Sequence, residues 1–260
     1  MAAAVRELYG RVLPFARAMP VIVALPFVAE LVQHVVEIRI GMYAPGGAVT
    51  GDEQGLRLAF GAVKVLAIFL AFLFALRWWG FAGDSRRALR PTRAMLKGLA
   101  ILLLVQGGGE LLIIALSASL AELAGGSAGV RLAVAAGPLL AWLLLITYLL
   151  PWFAGLLIED KAMTPRRSIA GISGRLWANF GLLLAGYLPA MAVHYALGYA
   201  AMGRSEAAVW ALMLVDAAVV ALLAVSLASA YFTIYRRAAE RTSGGSGPAP
   251  FRETSRGSRG

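Results

Sequence analysis

Glu30, His34 and Glu37, with Gln33 beside them, bring the chemistry of acids, bases and metal ligands to one short stretch of this chain. At ~100° of rotation per residue the three fall within an arc of about 60° on one helix face. Four more ionisable residues, Lys64, Glu110, His194 and Asp216, stand in apolar surroundings. Charged groups in such segments are costly and mark functional sites by default. The set can form a pocket for a solute, an ion or a lipid headgroup, a proton relay, or a metal site. Its plainer reading is local pairing that orients helices. Glu30-x3-His34-x2-Glu37 places ligands on successive turns and His194 offers another. No HExxH or second motif of fixed spacing accompanies them, so no metal, cofactor or catalytic residue is assigned.

The elements that must carry these residues are membrane helices. Of the 260 residues 60% are hydrophobic and only 15% charged, with a mean hydropathy of +0.75. A soluble fold of this size cannot bury so much apolar surface. Six stretches reach the ~20 residues that a ~30 Å hydrocarbon layer requires: residues 20–40, 56–79, 96–120, 132–158, 176–200 and 207–235. Backbone groups in lipid must pair internally, and the alternation of barrel strands is missing. The fold class is therefore all-α: a polytopic bundle of six transmembrane helices over residues 1–240.

Basic residues set the orientation. Of the 24 Lys and Arg residues, 19 fall on the N-terminal side of the layer, among them Arg86, Arg87, Arg90, Arg93, Arg166, Arg167 and Arg175. By the positive-inside rule both termini are cytoplasmic. The ionisable residues then lie at the midplane or in the outer half, which suggests a polar cavity open to the periplasm. The net charge of +10 comes from clusters between apolar runs, so it points to anionic lipid rather than nucleic acid. The seven arginines just named are the candidate lipid contacts.

Arg6, Arg11 and Arg17 precede a first span that reads as retained rather than cleaved. Residues 41–55 read as a mobile Gly-rich outer loop, and residues 241–260 as a disordered cytoplasmic tail. Pro91 and Pro165 suit first helical turns, with Thr164 as an N-cap. The segment after Pro165 reads as an amphipathic helix on the inner leaflet, against the alternative of a basic loop with a helical lead-in. Gly107-Gly108-Gly109 lies mid-span, where close packing or a local break explains it better than phosphate binding. Pro26, Pro138, Pro151 and Pro189 are kinks whose freed carbonyls polar neighbours can recover. Without cysteine there is no disulfide and no thiolate chemistry.

The stretch Tyr148 to Leu184, YLLPWFAGLLIEDKAMTPRRSIAGISGRLWANFGLLL, and the ending AYFTIYRR at residues 230–237 resemble bacterial inner-membrane proteins of the YciC-like type. They also resemble the membrane domain attached to some glycerophosphoryl diester phosphodiesterases. The resemblance implies six spans and an inner-membrane location. It implies no activity, because the phosphodiesterase domain has no counterpart in these 260 residues. The leading expectation is a non-enzymatic inner-membrane protein that binds membrane lipids or another envelope protein. The alternatives are a small transporter or channel subunit using the polar cavity, and an intramembrane metal-dependent enzyme.

Overall fold

The computed structural model describes residues 1–46 and 51–243, with nothing said of the side chains of 51–53. It is all-helical, at 84% helix, with no strand among the described residues. The helices are α1 (Ala2–Gly10), α2 (Val12–Ala18), α3 (Pro20–Arg39), α4 (Gly51–Gly80), α5 (Ser85–Leu89) and α6 (Arg93–Leu102). A π-helical turn, Leu103–Gly107, joins α6 to α7 (Gly108–Ala124). Then follow α8 (Ala128–Thr147), α9 (Leu150–Leu157), α10 (Pro165–Ile172), α11 (Leu176–Ala201) and α12 (Glu206–Thr242). Six helical segments are long and apolar enough to cross a membrane: α3, residues 54–80 of α4, the α6–α7 unit, α8, α11 and α12.

Helix α12, with 37 residues and so about 55 Å long, is the central post. Helices α3, α4 and α11 pack along it, and α1, α9 and α10 close around its C-terminal half. Its buried column is built from small residues, Ala217, Ala221, Ala224, Ala228 and Ser229, which let neighbouring backbones approach. Gly186 of α11 is needed for that approach. A Cβ there would stand 2.8 Å from Ala230 Cβ and 3.0 Å from the Ser226 carbonyl oxygen. Ser226 Oγ donates to the Gly186 carbonyl at 2.7 Å. The α7–α8 hairpin lies at the periphery and leaves Leu111, Leu112, Leu123 and Leu132 exposed.

Several elements differ from the sequence reading for identifiable reasons. The stretch 132–158 is two helices, α8 and α9, separated at Tyr148 and Leu149. Pro151 has no N–H and its ring crowds the preceding turn. The Ser168 hydroxyl enters the gap: it accepts from Trp152 N at 3.1 Å and donates to the Tyr148 carbonyl at 2.6 Å, replacing an i→i−4 bond. Helix α4 begins at Gly51, which shortens the expected loop 41–55, and residues 47–50 of that loop lie outside the described residues. The expected tail begins inside α12, which runs to Thr242; residues 244–260 lie outside the described residues. Thr92 caps α6 by accepting from Met95 N at 3.0 Å, so Pro91 precedes the helix instead of opening it. Pro165 does open α10, and Thr164 caps it. The glycine triplet marks both a break and a close contact, because the π turn ends at Gly107 and Gly109 packs on the Trp142 ring.

Residues 1–18, which carry no span, fold as α1 and α2 and dock on the bundle. Ser229 Oγ donates to the Leu8 carbonyl at 2.8 Å and Arg11 Nη1 to Thr233 Oγ1 at 2.6 Å. Tyr9 Oη donates at 2.6 Å to the Ala185 carbonyl, the one that Pro189 leaves without its helical partner. At the same end Arg77, 1% exposed, donates to the carbonyls of Ala88, Leu157, Arg87 and Arg90 and pairs with Glu159 at 3.1 Å. One guanidinium thus ties α5 and the α5–α6 turn to the end of α9. Burial pushes the Glu159 carboxyl up, but hydrogen bonds from Thr92 and Arg77 outweigh it and hold the group below its usual range. Ser168→Ala should leave Tyr148 O and Trp152 N unpaired at a cost of about 1–3 kcal/mol each. Thermal unfolding in detergent checks this, and an unchanged midpoint counts against the inserted hydroxyl as a structural bond.

Candidate functional site

Six of the seven expected cavity residues meet in one network. Helix α3 contributes Glu30, Gln33, His34 and Glu37 from its buried face, as the 3.6-residue period requires. His34 is its hub. Nδ1 lies 2.9 Å from Glu37 Oε2, and Nε2 lies 2.9 Å from Asp216 Oδ2 of α12 and 3.3 Å from Glu30 Oε1. His194 Nδ1 of α11 is 2.8 Å from both Asp216 oxygens. Lys64 of α4 hydrogen-bonds Glu30 Oε1 at 3.3 Å and stands 3.1 Å from Oε2. The chain has two histidines, and both contact Asp216.

Glu110 does not join them. It is exposed on α7, in the peripheral hairpin, where the helix has no contact with α3 beyond incidental ones. The π turn before it re-phases α7 relative to α6, so its mid-span position carried no information about its neighbours. Two participants were not singled out from the sequence. Arg57 Nε donates to Glu37 Oε1 at 3.0 Å, and Tyr43 Oη donates to Glu37 Oε2 at 2.8 Å. Tyr43 returns to α3 because Gly41 takes φ +71° and Met42 N bonds the Glu37 carbonyl at 3.0 Å. A glycine just past the last helical residue was the available signal. Burial first, and then the Glu37 carboxylate, push the Tyr43 hydroxyl above its usual range, so it remains a donor.

The network forms the wall of a cavity of about 250 Å³, bounded also by Met42, Tyr195, Gly198, Tyr199 and Met202. Tyr195 and Tyr199 are well exposed, and the cavity reaches the end of the bundle opposite the termini. The volume holds a hydrated ion or a small solute and is too small for a drug-sized ligand. Both ring nitrogens of His34 face carboxylates, so the cluster holds an extra proton, and with Lys64 and Arg57 it balances the three carboxylates. Glu30 is fully buried with the Lys64 ammonium 3.1 Å from its Oε2, and Gln33 Oε1 has no donor among the described residues. Glu37, by contrast, receives Gln33 Nε2 at 2.8 Å besides Tyr43, Arg57 and His34.

The seven arginines expected at a lipid surface all stand at the other end. Arg86, Arg87, Arg90, Arg93, Arg166 and Arg175 are exposed, and Arg167 is half-buried against Thr242. Helix α10 exists as expected but buries Ser168, Gly171 and Ile172 against the chain itself, with Gly171 packed on Ala238. It ends at Ile172, before a Gly174 at φ +75°, so Leu176 belongs to α11 and not to one continuous amphipathic face.

Loss of the Glu37 carboxylate should be costly, since four groups lose their acceptor together. Glu37→Leu is expected to destabilise the protein by about 3 kcal/mol or more, and Tyr43→Phe by about 1 kcal/mol. Equal, small changes in unfolding midpoint for the two variants contradict the network as drawn. No model of a known family, no curated protein and no solved structure matches the chain, so its function must be argued from this geometry.

Proposed function

We propose that the chain is a six-span protein of a bacterial inner membrane with both termini in the cytoplasm, acting as a small transporter or channel subunit. Its cavity receives a small cation from the periplasmic side. The observation that carries this reading is convergence: Glu30, His34, Glu37, Lys64, His194 and Asp216, from four helices, meet on one cavity. Pairing that served only to orient helices would leave no cavity beside the carboxylates. The excess of basic residues at the termini end supports the orientation. The sequence resemblance to YciC-like proteins supports the location.

A cysteine-free chain makes the test direct. Gly198 borders the cavity, and a Cβ there meets nothing within 4 Å, so Gly198→Cys fits. In intact spheroplasts a membrane-impermeant maleimide should label Cys at 198, and label a Glu240→Cys variant only after permeabilisation. In proteoliposomes the protein should carry at least one of ammonium, a short diamine or Zn2+, and a bulky maleimide at position 198 should abolish that flux. No flux of any of the three, or flux indifferent to the plug, overturns the transport reading.

Lipid binding at the cytoplasmic end is a second reading with its own support. Arg77, Arg87, Arg90, Arg93, Thr92 and Glu159 border a depression of about 470 Å³, and Arg90 and Arg93 make no ion pair among the described residues. Arg87 lies over the Phe81 ring at 4.3 Å. An anionic headgroup matches that excess of charge. Replacing Arg87, Arg90 and Arg93 together by Gln should lower the anionic lipid retained in native mass spectrometry. Unchanged lipid retention removes this reading.

A further inference from the structure

The cavity reading leaves open which cation the site is built for, and the donor set narrows it. Four side chains converge around Asp216 and Glu30: two carboxylates and the two imidazoles of the chain. One ligand atom from each of Glu30, His194 and Asp216 lies within 4.8 Å of the others. The direct contacts among the four groups run from 2.8 to 3.3 Å. A tetrahedral ion with bonds of ~2.0–2.1 Å needs donor separations of about 3.3 Å. Side-chain rotations must open the 2.8–2.9 Å contacts with Asp216 and draw the wider pairs, up to 4.8 Å apart, in to that spacing.

Three features distinguish this arrangement from a set of ion pairs. First, Glu30 is fully buried on the cavity, and beyond Lys64 and the His34 ring its carboxylate has no donor among the described residues. Lys64 stands near both oxygens of that carboxylate, at 3.1 and 3.3 Å, so a cation there must share it or displace the ammonium. Second, the ring nitrogen of His34 that does not face Asp216 and Glu30 is bound by Glu37 at 2.9 Å. Glu37 is itself held by Gln33, Tyr43 and Arg57. A carboxylate behind an imidazole, clamped by its own donors, is how proteins fix the tautomer and direction of a metal-binding histidine. Third, both ring nitrogens of His34 face carboxylates, so the cluster holds an extra proton whose place at Nε2 a bound cation can take.

We propose that Glu30, His34, His194 and Asp216 bind one divalent first-row transition-metal ion, Zn2+ foremost. Imidazole nitrogen with carboxylate oxygen suits Zn2+, Mn2+, Fe2+ or Co2+. It does not suit the all-oxygen preference of Ca2+ and Mg2+, and the absence of thiolate and of any thioether among the four donors disfavours Cu+. Glu37 is a positioning residue that acts through His34. This assignment rests on the cavity being a cation site, and it names the cation.

Binding to the full-length chain in detergent, without a histidine tag, tests the assignment apart from transport. After chelator treatment, Zn2+ titrated by calorimetry should bind at one ion per chain and raise the unfolding midpoint, while Mg2+ should do neither. Co2+ should give the intense visible bands of a four-coordinate nitrogen–oxygen site. Asp216→Asn and His194→Ala should each weaken Zn2+ binding at least 100-fold, and Glu37→Gln by about 10- to 100-fold. Lys161→Gln, exposed between α9 and α10 and remote from the cavity, should leave binding unchanged. If Asp216→Asn fails to fold, the wild-type stoichiometry, thermal shift and Co2+ spectrum decide alone. Wild type that binds no Zn2+ or Co2+, or Zn2+ binding that survives loss of both His194 and Asp216, overturns the proposal. Flux of ammonium or a diamine without metal binding removes the metal and keeps the cavity. Metal binding without any flux removes transport and keeps the site.

Discussion

Asp216 carries its carboxylate on the most buried face of the central helix, at 1% exposure, between His34 of α3 and His194 of α11. An isolated carboxylate there would cost several kcal/mol. It is tolerated because two imidazoles contact it directly, and that requirement constrains three helices at once. Helix α3 must present one face to α12, and α11 must approach closely enough for a short imidazole to reach. The small residues of α12 and Gly186 of α11 supply the approach, and Ser226 seals it with a bond to the Gly186 carbonyl. Polar specificity and close apolar packing therefore depend on each other: loosen the small-residue seam and His194 no longer reaches Asp216.

The two ends of the bundle solve different problems. At the termini end, Arg77 and Ser168 are buried polar groups spent on backbone: each holds chain turns together by satisfying carbonyls and an N–H that irregular geometry leaves free. Their hydrogen-bonding capacity is used within the chain. At the opposite end the buried polar groups are spent on one another, and they are not fully used, since Gln33 Oε1 lacks a donor and Glu30 Oε2 has only the Lys64 ammonium beside it. That contrast separates scaffold from site more sharply than burial does. Arg77 and Asp216 are equally hidden, at 1% exposure each.

Composition made the six apolar helices legible, because a run of some 20 apolar residues has few other uses. The face shared by Glu30, His34 and Glu37 was legible too, since helical period alone aligns them. Their partners were not: His34 and Asp216 are 182 residues apart, and only tertiary packing brings them to 2.9 Å. Glu110 shows the converse error. It has the residue type and the depth of the others, but the π turn and the peripheral place of α7 turn it outward. Tyr43 and Arg57 went unread because each lies beside a glycine-rich connection, where side-chain direction depends on turn geometry rather than on period. The break at Tyr148 was half legible. Pro151 announced a kink, but the hydroxyl that fills it belongs to α10.

Lys64 is the residue through which the proposed cation and the bundle would communicate. Its ammonium reaches Glu30 from α4, 3.1 Å from Oε2, so any cation taking up Glu30 competes with it for the same charge. Two positive charges on one carboxylate in a poorly solvated place repel by more than one buried pair can offset. Lys64 is half-buried, with a flexible four-carbon stem, whereas Glu30 sits fully enclosed in the middle of α3. With the proposed cation bound, the flexible lysine rather than the enclosed carboxylate would be the group to give way, so occupancy of the site and the position of the Lys64 charge would be opposed.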